Sequence, residues 1–247
     1  MHMRESSSIV GTRVRFVSLS PCLLVSLSVF AGCDWPGKPR DTDRPIPAEQ
    51  VEDFGLLYNT HCAGCHGEDG KDGPGPPLND PLFLAIIPDD ELRRVIVEGR
   101  TGTPMTAFAK DRVGPLTEKQ IDIVAKGIRQ RWAAPDKAIG HPPPYLLSAA
   151  KSGDKKTGLK VFARDCAMCH GEQGQGSKVA GAINDPAFLA LVSDQTLRRY
   201  IITGRPDFGM PNYADPDRND ANLTSQEIND LVALLAYWRV GGSINDK

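Results

Sequence analysis

The clearest pattern of apolar and polar positions lies in two stretches, near residues 117–132 and 224–238. In both, apolar residues recur every three or four positions, which is the spacing of one buried face of an α-helix. These positions are Ile121, Val124, Ala125, Ile128 and Trp132 in the first stretch, and Ile228, Leu231, Val232, Leu235 and Trp238 in the second. Thr117 with Gln120, and Thr224 with Glu227, have the spacing of a capping box. The pattern therefore predicts two helices with matching starts.

Four further helices follow from the same periodicity. Two amphipathic segments are predicted over Val51–Asn59 and Lys155–Arg164, and two more over Asp89–Glu98 and Asp194–Thr203. The last two are each followed by a glycine, Gly99 and Gly204, suited to a left-handed helix end. Since no stretch shows sustained two-residue alternation, we predict an all-α fold.

The sequence contains a tandem repeat of one unit. Residues 78–100 and 183–205 align without a gap and share 13 of 23 residues. The two full copies are roughly 90 residues each, which indicates a tandem duplication, because a solenoid uses shorter units and at least three of them. We predict one domain over 48–135, a Pro-rich linker over 136–150 and a second domain over 151–247.

The N-terminus has the pattern of a targeting segment. A basic start is followed by an uncharged apolar run from Phe16 to Ala31, and small residues precede Cys33. This ending resembles a bacterial lipoprotein cleavage site, which implies a signal peptide over 1–32, lipidation of Cys33 and a tether over 33–47. An ordinary signal peptide or an uncleaved anchor is the alternative. Each version delivers the domains outside the cytoplasm, and the resemblance places them on the periplasmic side of a bacterial membrane.

Composition narrows the function classes. The chain has 247 residues, 40% of them apolar and 24% charged, which is a globular composition. Its formal charge of -2 lacks the basic excess of a nucleic-acid binder. Charge is uneven along the chain: residues 48–135 hold 14 acidic and 10 basic residues, whereas 151–247 hold 12 of each. Basic residues cluster at the start of the second domain: Lys151, Lys155, Lys156, Lys160 and Arg164. Different docking partners for the two domains, or ordinary surface variation, explain this equally well.

Four cysteines carry the chemistry of the chain. They form two Cys-x-x-Cys-His motifs, made by Cys62, Cys65 and His66 and, in register, by Cys166, Cys169 and His170. This is the signature of c-type haem attachment, in which two thioethers hold the porphyrin and the histidine binds iron. A disulfide scaffold leaves the histidines unexplained, a zinc site lacks a repeated fourth ligand, and a thioredoxin-like pair lacks its βαβ setting. We therefore predict two covalently attached haem c groups.

Two methionines are predicted as the second axial ligands. Met105 and Met210 follow Cys62 and Cys166 by 43 and 44 residues, in matching loops after a helix. Met168 lies between two haem-bonding cysteines and cannot reach the far face. His/Met ligation raises the reduction potential and suits an electron carrier. The alternative is that both methionines fill gaps in the core.

At these residues each half resembles a class I c-type cytochrome domain, over residues 48–133 and 151–240. The resemblance implies a small helical fold around one haem, with the N-terminal helix crossing the C-terminal one. Met210 stands between glycine and proline, as in the distal loop of the family, whereas Met105 lacks the following proline. The resemblance also implies that a backbone carbonyl at Pro77–Leu78, or Ala182–Ile183 in the second copy, accepts the ring N–H of the proximal histidine.

Several side chains near the motifs have open roles. Arg100 and Arg205 precede each methionine loop, and either pair a haem propionate or are solvated helix ends. His61 is expected at the surface, and His141 is a remote alternative ligand. Phe54, Tyr58 and Phe162 are expected to pack against Trp132, Tyr237 and Trp238 rather than to do chemistry.

These predictions point to a di-haem electron-transfer cytochrome with no catalytic residues, whose partners are redox proteins and, through a lipid anchor, a membrane. The first alternative is a cytochrome subunit of a larger dehydrogenase or oxidase complex. A di-haem peroxidase is the second, but it needs one haem with an exchangeable site, and the paired methionines argue against that.

Overall fold

The computed structural model describes residues 43–134, 141–147, 152–214 and 222–242, together with Gly37 and Arg40. The described residues from Pro47 onward form one compact unit. Cys33 and the predicted signal peptide therefore lie outside the described residues. Among the residues that are described, no helix combines the length and the apolar character needed to cross a bilayer.

The first domain is built from helices α1 to α5. Their bounds are α1 Phe54–His61, α2 Ala63–His66, α3 Pro81–Ile86, α4 Asp89–Glu98 and α5 Glu118–Trp132. Short 3₁₀ turns lie at Ala48–Gln50 and Lys110–Arg112. Asp53 caps α1 by accepting the Leu56 amide at 2.7 Å, so this helix begins three residues later than predicted.

The second domain repeats this order. Its helices are α6 Lys155–Asp165, α7 Ala167–His170, α8 Pro186–Leu191, α9 Asp194–Thr203 and α10 Ser225–Arg239, with a 3₁₀ turn at Pro206–Phe208. Within the described ranges there is no strand, and two isolated bridges pair Ala109 with Leu116 and Arg205 with Met210. The all-α prediction is confirmed, and so are the capping boxes of α5 and α10.

The first and last helices of each domain cross, and aromatic rings fill the crossing. Trp132 meets Phe54 and Tyr58 edge-on, with ring centroids 6.2 and 5.1 Å apart. In the second domain Phe162 meets Trp238 edge-on at 5.2 Å. The predicted aromatic packing is confirmed for these pairs, and it accounts for the rings without any chemical role.

A small residue allows the helices to approach at each crossing. A Cβ atom on Gly158 of α6 would overlap the Asp230 carbonyl of α10, which is backbone and cannot rotate away. In the first domain a Cβ on Gly127 of α5 would meet the Phe54 ring, which is a side chain. The second crossing is therefore the less tolerant of the two.

We expect Gly158→Ala to lower the free energy of unfolding by about 2 kcal/mol, because overpacking outweighs the higher helix propensity of alanine. Gly127→Ala is expected to cost less, since the Phe54 ring can shift. Lys160→Ala, on the exposed face of α6, serves as the neutral control. Thermal or denaturant unfolding of the three variants checks the order, and an unchanged Gly158→Ala midpoint would contradict the close helix crossing.

The two domains share an interface that includes part of the linker. Tyr145 is 2% exposed and belongs to the first core, where its ring lies 5.9 Å from that of Phe83. Leu82 and Ile86 of α3 pack against the second core. The described part of the predicted Pro-rich linker, 141–147, packs between the domains, because the Tyr145 ring lies in the first core and its carbonyl accepts a hydrogen bond from Gln195 of the second domain.

Candidate functional site

The two Cys-x-x-Cys-His motifs occupy matching positions after the first helix of each domain. A single helical turn, α2 or α7, carries the second cysteine and the histidine of each motif. Cys62, Cys65 and Cys169 are free thiols, so neither motif closes on itself as a disulfide. The local geometry leaves the sulfur atoms available for other bonds.

Both motifs line one continuous cavity of about 1190 Å³. All eight predicted haem-site residues line it: Cys62, Cys65, His66, Met105, Cys166, Cys169, His170 and Met210. A pocket for one small molecule typically measures roughly 300–1,000 Å³. The cavity is therefore large enough for two groups, and each domain contributes one donor set to its lining.

The proximal histidines are oriented by backbone carbonyls. His66 Nδ1 lies 2.9 Å from the Pro76 carbonyl oxygen, and His170 Nδ1 lies 3.1 Å from that of Gly181. A carbonyl only accepts, so each Nδ1 carries the proton and each Nε2 keeps its lone pair for a metal. The predicted carbonyls at Pro77–Leu78 and Ala182–Ile183 are each wrong by one residue, because the loops reach the rings earlier than the resemblance implies.

The charge state of His66 also suits a ligand. Burial lowers the pKa of His66, which favours the neutral imidazole that binds metals. The hydrogen bond to Pro76 acts in the opposite direction, and the nearby charges of Arg199 and Arg100 reinforce the lowering.

Backbone hydrogen bonds position the two methionine loops. The Arg100 amide donates to the Met105 carbonyl at 2.8 Å, and Arg205 and Met210 exchange two bonds of 2.9 and 3.0 Å. Gly204, with φ of 69°, lets the loop fold back, since a Cβ there would lie 2.5 Å from the Met210 oxygen. These bonds use only backbone groups, so they hold each loop in place without requiring arginine at position 100 or 205.

The side chains of these two arginines have protein partners. Arg100 donates to the Tyr145 hydroxyl at 2.7 Å, and Arg205 forms an ion pair with Asp207 at 2.6 Å. Both line the cavity. Each has further N–H donors, so the predicted pairing with a haem propionate stays open.

The remaining predicted residues fall outside the donor set. Met168 is 89% exposed, which agrees with its exclusion as a ligand. His61 is half-buried at the cavity rather than at the surface, and His141 is exposed and does not line the cavity. In the basic cluster, Lys155 stacks on Tyr237 and Arg164 pairs with Glu227, while Lys151 lies outside the described residues.

Arg199 is a buried cavity residue that the sequence analysis does not single out. It extends from α9 of the second domain to the Pro77 carbonyl of the first and lies 3.4 Å from the centroid of the Phe83 ring. It is 5% exposed and lines the cavity. Burial lowers its pKa to about 10, so the side chain is still protonated at neutral pH.

The donor set fits a covalently held haem. Each domain contributes two cysteines, an imidazole and a thioether to the cavity, which is lined largely by apolar side chains. Arg199 lines the cavity, and its guanidinium has N–H groups beyond the one that binds the Pro77 carbonyl, so a cationic donor remains for an acidic group. Across those residues, no group of three His, Cys, Asp or Glu side chains is arranged to hold a bare metal ion.

Large apolar side chains at the cavity are exposed in the second domain. They are Met168, Val179, Phe188, Leu191 and Phe208. In the gap-free alignment, Phe188 and Leu191 correspond to Phe83 and Ile86, which are covered by the interface between the domains. These five exposed side chains form an apolar rim on the second domain. In the first domain, the residues that correspond to Phe188 and Leu191 are covered by the domain interface.

Comparison with known proteins assigns a family to each half. A family model described as Cytochrome c matches residues 156–238, and one described as Cytochrome C oxidase, cbb3-type, subunit III, matches residues 49–126. The two matches fall on the two repeats.

Curated relatives match across both halves. The cbb3-type cytochrome c oxidase subunit CcoP of Azospirillum sp. (strain B510) is 33% identical over 139 residues, covering 50% of this chain and 40% of its own. Subunit FixP of Bradyrhizobium sp. (strain ORS 278) is 30% identical over 159 residues, covering 60% of this chain and 50% of its own. The chain thus matches about half the length of these relatives.

A solved structure is similar in outline. The Kuenenia stuttgartiensis reducing HAO-like protein complex contains a chain with a TM-score of 0.42 and 21% identity, covering 79% of this chain and 99% of its own. Likeness at this level supports no functional assignment.

Proposed function

Because the chain carries two tandem cytochrome c domains, each binding one haem c covalently, we propose that it transfers electrons between redox partner proteins outside the cytoplasm. The observation that carries this proposal is the single cavity lined by both motifs and both methionine loops. Two redox groups that share one cavity inside one compact unit can exchange electrons without a second protein.

In the first domain, we assign the thioether bonds to Cys62 and Cys65 and the axial positions to His66 and Met105. In the second, Cys166 and Cys169 form the thioethers, and His170 and Met210 are the axial ligands. Haem supplies a one-electron couple, which the polypeptide lacks. The Pro76 and Gly181 carbonyls hold the two imidazoles in the metal-binding tautomer. The methionine loops would supply the second ligand to each iron.

Methionine on both far faces favours a carrier over a catalyst. A substrate such as peroxide needs a metal position that it can enter, and in this assignment both positions are filled by protein. The apolar rim of Met168, Val179 and Phe208 offers a surface on which a partner can dock near the second haem.

A second function is membership of a larger oxidase complex. The relatives named above are described as subunits of cbb3-type cytochrome c oxidases, and this supports a similar place for the present chain as an electron-transfer subunit. Copurification in fixed ratio with other oxidase subunits would separate this role from a free carrier. The enzymatic activity would then belong to the complex.

Attachment to a membrane through a lipid on Cys33 is part of the same proposal. A signal peptide over 1–32 and a tether over 33–47 would leave domains 48–135 and 151–247 on the periplasmic side. Mass spectrometry of the mature N-terminus tests this separately from the haem assignments.

Reactivity of the reduced protein tests the carrier function. We expect both ferrous haems to bind carbon monoxide slowly and to react weakly with peroxide, since methionine must first leave the iron. The measurement is stopped-flow absorbance on the reduced two-haem chain. Fast binding at one haem with peroxide turnover would contradict the carrier assignment and favour a di-haem peroxidase.

A further inference from the structure

Two arginines at corresponding positions of the repeat have opposite environments. Arg94 of the first domain is half-exposed and pairs with Glu91 at 2.7 Å and Glu98 at 2.6 Å. Its counterpart in the gap-free alignment is Arg199, which is 5% exposed. The same residue type therefore lies at the surface in one copy and in the interior in the other.

The acidic partners are lost in the second copy. The positions of Glu91 and Glu98 are taken by Thr196 and Thr203, and the Thr203 hydroxyl bonds the Arg199 carbonyl instead. A guanidinium on a helix without these carboxylates is free to seek partners elsewhere.

The neighbouring arginine shows the same change. Arg93 bonds Glu118 and Asp122, whereas Arg198 bonds the Ser225 and Asn229 side chains at 3.0 and 2.8 Å. Arg198 also donates to the linker carbonyl of Pro144 at 2.6 Å. Neutral side chains have replaced carboxylates around both arginines, so this face of α9 is adapted to bind the linker and the first domain.

The contacts of Arg199 lead to the first motif. Its guanidinium donates to the Pro77 carbonyl, and the preceding carbonyl, that of Pro76, accepts from His66. The guanidinium also covers the ring of Phe83, which lines the same cavity. One side chain of the second domain therefore holds the loop that orients the proximal histidine of the first.

The buried charge forms no ion pair among the described residues, although the nearby carboxylate of Asp80 acts on it electrostatically. A buried guanidinium is stabilised by an acidic group that accepts its N–H bonds. Nε of Arg199 is closed off from solvent and has no hydrogen-bond partner in the described part of the chain, whereas other atoms of the side chain line the cavity. A haem bears carboxylate groups, which are the acceptors that a guanidinium at this position requires.

We propose that Arg199 is a positioning residue for the haem of the first domain, supplied by the second domain. It holds the Pro76–Pro77 loop through the Pro77 carbonyl and donates through a remaining guanidinium N–H group to a haem carboxylate. The inference rests on the proposed function, because it presupposes a haem at His66. Its consequence is that the second domain sets the midpoint potential of the first haem.

Redox titration of Arg199→Met tests this proposal. Loss of a buried positive charge favours the ferric state, so the reduction constant of the first haem is expected to fall about tenfold. This corresponds to a midpoint potential lower by ~59 mV for one electron. The reduction constant of the second haem should change by less than about threefold. The matched control is Arg94→Met, which removes the exposed counterpart and is expected to move neither midpoint.

The two midpoints are assigned with Met105→His, which alters the first haem. An Arg199→Met protein that retains two haems and both wild-type midpoints would overturn the proposal, and so would a shift confined to the second haem. If this variant does not accumulate, Arg199→Gln carries the test, because it also removes the charge: a lowered first midpoint supports the proposal, and unchanged midpoints refute it. A wild-type chain without two haems would instead refute the proposed function.

Discussion

Replacing Cys166 and Cys169 together with alanine is expected to lower covalently bound haem from two per chain to one. Both thioether bonds of the second site are lost, whereas Cys62 and Cys65 lie in a separate motif of the first domain. The reciprocal double variant should lose the other haem. Haem content per chain, measured after extraction with acid acetone, gives the result.

Met168→Ala is the matched control for this experiment. Met168 lies between the two cysteines but is 89% exposed, so its replacement should leave two haems in place. Retention of two extraction-resistant haems by the double cysteine variant would show that the second motif is not an attachment site.

Replacing Met105 with histidine is expected to lower the midpoint potential of the first haem, and replacing Met210 that of the second. Each reduction constant should fall at least about a hundredfold, which corresponds to ~120 mV for one electron. A thioether favours the ferrous state, and a second imidazole shifts the balance towards the ferric state. Each variant should also lose half of the ferric absorption band that marks methionine ligation. Redox titration with optical spectra follows both effects.

Met168→His controls for adding an imidazole near a haem without changing a ligand. It is expected to change the reduction constant of each haem by less than about threefold. If Met105→His kept both original midpoints and the full absorption band, Met105 would be a core residue and the first haem would have another axial ligand.

Local signals predicted much of the fold. Periodicity and capping residues gave the last helix of each domain, and the Cys-x-x-Cys-His spacing located both histidines at the cavity. The helices Pro81–Ile86 and Pro186–Leu191 were missed, because six residues are too short to show a period. Their aspartate caps with proline at the first position were a readable signal.

Contacts between the domains could not be derived in the same way. Arg199 and Pro77 are 122 residues apart, and periodicity carries no information about such a pair. A comparison of the two copies contained the clue, since Thr196 and Thr203 stand where Arg94 has its glutamates. The histidine carbonyls were misplaced by one residue because the path of a Gly- and Pro-rich loop depends on its neighbours.

The intact mass of the purified chain after extraction with acid acetone tests the central assignment most directly. The account predicts the mass of the polypeptide plus two haems, with the spectrum of thioether-linked haem. A colourless chain of the bare polypeptide mass, or a chain that keeps only one haem, would contradict it.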